Sequence, residues 1–493
     1  MSHMDKTYNE NGARLELDRI RSTTLTPRDR MAIPVQEMPN QNPDLRRSNM
    51  DEVATGYTPD QAMVEAERCL QCKNAPCVAG CPVRVDIPGF IGKVREGDFA
   101  GAASVIKRTN LLPSICGRVC PQEKQCQLPC TLGKALKSVE KGVQIGRIER
   151  FVADYERNSG LLAPPPTATS TGKKVAIVGA GPAGLTCAVD VRRQGHDVVV
   201  FEAFHKAGGV MVYGIPEFRL PKALVASEAG VLESMGVSFE MSYLVGRTRK
   251  LSALLAEDGF SAAFIGTGAG LPKFMDIPGE NLVGVFSANE YLTRTNLMKA
   301  YRKGEAATPL YPSRRVAVLG GGNVAMDSAR MAMRLGAEEV HVLYRRTREE
   351  MPARGEEVVH AMEEGIVFDF LRSPARVLGD QNGRVIGLEV TAFELGEADA
   401  SGRRSPVAIR GSETVVPFDT VIVAVGNESN PLISKTTPEL KVDRRGHILV
   451  DEKQKTSIDR VYAGGDIVLG AATVILAMGE GRRAAAAINE VLQ

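Results

Sequence analysis

Eight of the nine cysteines fall between Cys69 and Cys130, in two phased runs. The first is Cys69-x2-Cys72-x4-Cys77-x3-Cys81-Pro82, and the second is Cys116-x3-Cys120-Pro121-x4-Cys126-x3-Cys130. No histidine lies in the interval. Soft thiolates suit soft iron, and a Cys-Pro closing a run is a feature of iron–sulfur ligation. Eight thiols are enough for two 4Fe-4S clusters. In two-cluster ferredoxins the cysteine before proline serves the other cluster, and the same crossing is expected of Cys81. Four-cysteine zinc is the rival chemistry, but the four-residue gap and the Cys-Pro end differ from paired C-x2-C zinc knuckles.

Two glycine turns could bind dinucleotides. Gly179-Ala180-Gly181-Pro182-Ala183-Gly184 follows the apolar strand pattern Lys174 to Val178 and opens an alanine-rich helix. The first glycine permits the turn, the second admits a pyrophosphate, and the third lets helix and strand pack closely. A second strand, Val198 to Phe201, ends in Glu202, whose carboxylate can accept a hydrogen bond from an adenosine ribose. FAD and NAD fit this pattern equally well. The other turn is Gly320-Gly321-Gly322-Asn323-Val324-Ala325, with Asp327 further along its helix, after the strand Arg315 to Leu319. The next strand, His341 to Tyr344, ends in Arg345-Arg346 instead of an acid. A carboxylate there would repel a 2′-phosphate, whereas guanidinium groups grip it. The second site therefore reads as one for NADPH.

The elements that must position these residues are legible in the texture of the chain. The 493 residues suffice for about three domains. With 43% hydrophobic and 24% charged residues, the composition is that of a soluble globular protein. A net charge of +2 argues against a dedicated nucleic-acid or membrane-surface binder. No apolar run is long enough for a membrane span or a signal peptide. Clustered thiols without an export signal point to a reducing, cytoplasmic compartment. Ser2-His3-Met4 is set aside as a cloning remnant.

Residues 5–60 are polar and proline-rich, and are expected to wrap another domain as irregular chain. Short helices are expected over Pro59 to Arg68, Ile87 to Arg95 and Val143 to Arg157. Asn158 to Gly172, with Pro164-Pro165-Pro166, reads as a linker. The tail from Arg460 returns to a strand, a Gly-Asp turn and an alanine-rich helix. Isolated Cys187 reads as a small core residue.

In combination these features resemble the glutamate synthase small (beta) subunit family. The resemblance is carried by the cysteine runs, by Gly117 to Gln122, by Ile145 to Phe151 and by both nucleotide sites. Gly208 to Pro221 is similar to the family's flavin-side motif, and Ala463-Gly464-Gly465-Asp466 with Ala472-Thr473-Val474 to the C-terminal FAD signature of two-dinucleotide flavoprotein reductases. The same module occurs in the large subunit of NADH-dependent reduced ferredoxin:NADP oxidoreductase, in sulfide dehydrogenase and in the N-terminal half of dihydropyrimidine dehydrogenase.

The resemblance implies an α/β protein with a helical N-terminal iron–sulfur domain (1–165) and two Rossmann-like domains. The FAD domain would comprise 173–311 and 426–493, with the NADPH domain (312–425) inserted in it. FAD would meet Gly209, Val210, Tyr213, Gly214, Ile215, Arg219, Gly465, Asp466, Ala472, Thr473 and Val474, besides the first glycine turn and Glu202. One 4Fe-4S cluster would use Cys69, Cys72, Cys77 and Cys130. The other would use Cys81, Cys120, Cys126 and Glu149, which leaves Cys116 as the alternative that the residues alone favour. Electrons would pass from NADPH through FAD and the clusters to a large glutamate synthase-type subunit, or to another electron-accepting flavoprotein or ferredoxin. A bifurcating transhydrogenase or sulfide dehydrogenase subunit is the second reading, and a non-enzymatic subunit the third.

Overall fold

The computed structural model describes residues 10–302, 304–398 and 402–493. Ser2-His3-Met4 lie outside the described residues.

The cysteine region is helical. Its helices are α1 Glu10–Arg21, α2 Pro59–Glu67, α3 Ile87–Arg95, α4 Phe99–Lys107, α5 Pro113–Val119, α6 Thr131–Ala135 and α7 Ile145–Asn158. Helix α1 departs from the irregular chain expected before residue 60. Ala13, Leu17 and Ile20 recur at helical spacing and are buried, so the signal was present but short. The remainder of that stretch does wrap, with brief turns at Pro27–Ala32 and Pro43–Arg46. Helix α2 starts in a capping box, in which Thr58 N–H donates to Gln61 Oε1 (2.9 Å) and Gln61 N–H to Thr58 Oγ1 (3.3 Å). Residues 159–173 carry no helix or strand.

Ten strands build two parallel sheets of five. They are β1 Lys174–Val178, β2 Asp197–Phe201, β3 Ser238–Glu240, β4 Ala262–Ile265, β5 Val285–Ser287, β6 Arg315–Leu319, β7 Glu339–Tyr344, β8 Val367–Phe370, β9 Thr420–Val423 and β10 Val461–Ala463. The first sheet has the order β10-β4-β1-β2-β3 and the second β5-β9-β6-β7-β8. In each, the strand before the glycine turn is central, and the next two strands lie on one side of it before the chain crosses to pair with its other edge. Such a switch point opens a crevice at the strands' carboxyl ends. Four further antiparallel strands, from Arg372–Gly379 to Thr414–Val416, form a side sheet on the second unit.

The second unit is nested between β4 and β10 of the first. Its start lies upstream of the expected boundary at 312. Strand β5 pairs with β9 in the second sheet, and Met275, Ile277 and Leu282 already pack on that sheet's core. The glycines and prolines scattered through 266–284 break up any periodicity and hide this transition in the sequence.

Among the helices that follow are α8 Pro182–Arg193, α9 Val210–Tyr213, α10 Asn323–Arg334, α11 Gly355–Glu363 and α12 Val474–Leu492. Helices α8 and α12 pack very closely. A Cβ on Gly481 would sit 2.2 Å from Ala183 O, so only glycine fits there.

A buried ion cluster joins all three units. Glu364 is fully buried and accepts from Arg46, Arg330 and Arg334. Arg330 also pairs with Glu357, which lies 3.2 Å from Arg219 Nε. Arg330 and Arg334 stack on the Phe218 ring, with 4.8 and 3.8 Å from guanidinium to centroid. Arg46 comes from the N-terminal strap, Phe218 and Arg219 from the first dinucleotide unit, and the others from the second. Val53 N–H donates to Phe218 O (2.9 Å) and extends the same seam.

Candidate redox sites

At the first glycine turn, Gly179 has φ +104° and its Cβ position is 2.5 Å from Gly266 O, just past β4. Gly184 packs with its Cβ position 1.9 Å from Gly179 O, which excludes any side chain. Gly181 differs, because a Cβ there would meet nothing within 4 Å. It opens on a cradle at the start of α8, a helix with no side-chain N-cap. Uncapped N–H groups and an open glycine are what a pyrophosphate needs. Pro182 opens the helix and Ala183 is buried beneath it.

Glu202, at the end of β2, is buried. It accepts from Ala180 N–H (2.8 Å) and Phe204 N–H (2.9 Å). Its carboxylate is thereby fixed beside the turn with lone pairs remaining for a hydroxyl donor. The flavin-side segment docks on the same turn. Gly208 N–H donates to Ala180 O (2.8 Å), and the Cβ position of Gly209 (φ +55°) is 2.9 Å from Gly181 Cα. Burial pushes the Tyr213 phenol up to about 12, helped by the carboxylates of Asp466 and Glu202. Burial likewise pushes Asp466 up to about 6. Gly465 (φ +79°) brings the tail against Ala183, with its Cβ position 2.9 Å from Ala183 Cβ. Thr473 caps α12, accepting from Leu476 N–H, while Gln125 Nε2 reaches its hydroxyl from the cysteine region. Ala472 is exposed, whereas the Val474 side chain is in the core, leaving its backbone at the helix start.

Two side chains that sequence reasoning missed hold this loop. Asn296 Nδ2 donates to Tyr213 O (3.3 Å) and Gly214 O (3.1 Å) from a π-helical turn, Thr293–Leu297. Lys222 Nζ donates to Ile215 O and Leu220 O, both at 2.6 Å. Burial lowers its pKa to about 7. Lys222 directly follows the quoted motif and could have been included. Asn296 is some 80 residues away and carried no local signal.

Arg219 and Asp327, both expected at cofactors, are instead bound to each other. Arg219 Nη1 donates to both Asp327 oxygens (2.6 and 2.8 Å), and both residues are buried in the ion cluster. Each thereby has its charge matched by the other in a dry interior.

At the second turn, Gly320 (φ +137°) has its Cβ position 2.4 Å from Ala424 O, just past β9. Gly322 is the uncapped N-cap of α10. Val324 is partly exposed and Ala325 fully buried. Asn323 Oδ1 accepts from Arg354 N–H (2.9 Å). The two arginines after β7 diverge. Arg345 is exposed, whereas Arg346 is buried and donates from Nε to Arg404 O (2.7 Å). Successive residues at a strand end point to opposite faces, so only one of them reaches the crevice rim.

The cysteines fall into two groups. Cys69, Cys72, Cys77 and Cys130 line one cavity, together with Ile87, Ile91 and Leu132. Cys72 Sγ lies 3.3 Å from Thr131 Oγ1 at the surface. Burial pushes Cys77 up to about 12, with Cys69 and Cys130 adding to it. Cys81, Cys120, Cys126, Cys116 and Glu149 form the second group. Burial pushes Cys81 up to about 11, with Glu149 and Cys120 contributing. Glu149 is pushed by burial up to about 7 and accepts from Asn110 Nδ2 (2.7 Å). Cys116 is buried, 3.6 Å from both Asn110 Oδ1 and Met478 Sδ of α12. Thiols this dry ionise only against a cationic metal centre. Among the described residues, no three His, Cys, Asp or Glu side chains converge on one point. Thiols spaced around a shared cavity suit the corners of a polynuclear cluster better than a single tetrahedral ion. Isolated Cys187 is fully buried on α8.

Residues 46–161 match the family described as dihydropyrimidine dehydrogenase domain II, 4Fe-4S cluster. Residues 173–489 match the pyridine nucleotide-disulphide oxidoreductase family. The glutamate synthase [NADPH] small chain of Halomonas elongata is 39% identical over 454 residues, which span 91% of this chain and 94% of that one. The chain belongs to the glutamate synthase small-chain family. A relative of another name, the NADPH-Fe(3+) oxidoreductase subunit beta of Geobacter sulfurreducens, is 36% identical over 86% of this chain and 65% of its own. Among solved structures, Mycobacterium tuberculosis FprA in complex with NADPH shares the fold, at 19% identity and a TM-score of 0.53, covering 65% of this chain and 84% of that one. The expected fold, enzyme class and cofactor types are those of this family: an oxidoreductase with an iron–sulfur domain and a two-dinucleotide FAD/NADPH body. No helix among the described residues is long and apolar enough to cross a membrane.

Proposed function

We propose that this chain is an electron-input subunit of the cytoplasm that oxidises NADPH and delivers single electrons to a protein partner. The observation that carries the reading is helix α12. Its first turn, capped by Thr473, adjoins the first glycine turn through Gly465 and Ala183. One turn on, Met478 Sδ touches Cys116, and the Cβ position of Gly479 is 3.4 Å from Pro82 O, beside Cys81. A single helix thus abuts both a dinucleotide crevice and a thiol group.

The first site, with Gly179, Gly181, Gly184, Glu202, Gly209, Tyr213 and Asp466, is the one for FAD. The second, with Gly320, Gly322, Asn323 and Arg345, is the one for NADPH. Cys69, Cys72, Cys77 and Cys130 would hold one 4Fe-4S cluster, and Cys81, Cys120, Cys126 and Glu149 the other. When bound, the flavin supplies the change from two-electron to one-electron chemistry and the clusters carry single electrons. The protein positions and shields. Asn296 and Lys222 fix the carbonyls of the 213–220 loop, and the Phe218–Arg330–Arg334 stack keeps the two crevices in one relative orientation. No side-chain acid or base is needed.

The partner is a large glutamate synthase-type subunit or another electron-accepting flavoprotein or ferredoxin. The Geobacter relative supports the wider choice. Stopped-flow mixing with NADPH under argon tests the reading: flavin absorbance bleaches, and bleaching with NADH is much slower. A flavin that NADPH does not bleach ends it.

A further inference from the structure

The two thiol groups differ in what surrounds them. The group of Cys81, Cys116 and Cys120 leans on α12 and is closed off by Met478. The group of Cys69, Cys72, Cys77 and Cys130 reaches solvent at the contact between Cys72 and Thr131. The chain around that opening is strongly basic. Residues 70–85 and 124–141 carry six Lys and Arg against one acid, Glu140, within a protein of net charge +2. Lys73 directly follows Cys72. Lys134 lies one helical turn beyond Thr131 on α6, on the same face. Lys137 (φ +53°) turns the chain back, with Ser138 N–H bonded to Gly133 O (3.0 Å). All three are exposed, and so is Leu128, between Cys126 and Cys130.

We propose that this face, with Lys73, Lys134, Lys137 and Leu128, docks an acidic redox protein. The inference rests on the reading above that electrons leave through the thiol-held clusters. Exposed cations around an apolar contact make the usual pattern of a transient electron-transfer interface. Attraction over about 20 Å at low salt steers an anionic surface to the opening at Cys72. The balance is simple. Each NADPH oxidised yields NADP⁺, a proton and two electrons, and two one-electron acceptors are each reduced once. The rival explanation is that the lysines merely offset the charge of a cluster's thiolates.

Two acceptors of one fold separate these ideas: cationic cytochrome c and its anionic succinylated form, both assayed anaerobically. The native protein is expected to reduce the succinylated form faster, with the rate falling roughly tenfold between about 20 and about 300 mM salt. The K73E/K134E/K137E variant is expected to reverse the preference while keeping its iron content and the rate of flavin bleaching by NADPH. An unchanged preference in the variant overturns the proposal. So does loss of iron with equal slowing toward both acceptors, which assigns the lysines to the cluster. Repeating the comparison with protein reduced by dithionite and then desalted needs no NADPH, so failure of the docking face is distinguishable from failure of the NADPH reading.

Discussion

Replacing Glu364 by Gln keeps the outline of the side chain and removes its charge. Glu364 takes five hydrogen bonds: from Arg46 Nε (2.9 Å), Arg330 Nε (3.0 Å) and Nη2 (2.7 Å), and Arg334 Nη1 (2.6 Å) and Nη2 (3.1 Å). An amide has one oxygen to accept with, and its own donors would face guanidinium groups that accept nothing. Removing one partner from a buried ionic cluster costs about 3–5 kcal/mol. Proton linkage gives a second figure. Burial pushes the carboxyl up, but Arg334 and Arg330 override it and hold Glu364 at about 2, against an ordinary 4.5. That difference is worth about 3 kcal/mol. Because the folded value is depressed, the stabilisation is complete above about 4.5 and is lost as pH falls toward 2. The Glu364→Gln protein should therefore be less stable by about 3 kcal/mol at pH 7, with a shallower pH dependence below 4.5. A chain of several units does not unfold in two states. The assay is accordingly hydrogen exchange of the α10 and α11 amides in the native protein, at pH 7 and across the acid range. A loss under about 0.5 kcal/mol at pH 7, or parallel acid profiles for the two proteins, would refute the reasoning.

Three other outcomes are expected. Arg345→Ala should raise the KM for NADPH by roughly 10- to 100-fold, the worth of a charge-assisted hydrogen bond, and leave that for NADH almost unchanged. Arg346→Ala should instead lower the melting temperature with little effect on KM; equal KM effects for the two nucleotides sink the assignment. Gly181→Ala should fold normally and purify without flavin, because its Cβ fills only the cradle, whereas Gly184→Ala, aimed at Gly179 O, should express poorly; a flavin-replete Gly181→Ala protein would contradict this. Cys116→Ser should keep its full iron content while Glu149→Ala loses iron, and the opposite pattern would make Cys116 the ligand.

Both dinucleotide sites were legible because their signals are local. Gly179 to Gly184 and Glu202 lie within one strand–helix–strand unit, and their roles follow from backbone shape. The partition of the thiols was not legible in their spacing, since Cys130 joins Cys69 across 60 residues; it came only from the family resemblance, and the shared cavity agrees with it. The surroundings of Arg219, Asp327 and Arg346 were hidden from the sequence for one common reason. A charged residue next to a nucleotide motif looks like a ligand, and only the fold shows which protein groups it also bonds. The start of the second unit near 275–285 was missed because its first strand, β5, is three residues long.

The nesting of one dinucleotide unit inside the other also sets an order of assembly. Strand β10 pairs with β4 across nearly 200 residues, and α12 closes the first unit over α8. A nascent chain can complete the second unit while β10 and α12 are still within the ribosome. The first unit then still lacks an edge strand and the helix that roofs its crevice. The thiol group beside Met478 lacks its wall for the same reason. Loading of flavin and maturation of that iron–sulfur site thus wait on the same stretch after residue 460, and a chain arrested before it would emerge with one nucleotide fold finished and neither the flavin crevice nor the second thiol group enclosed.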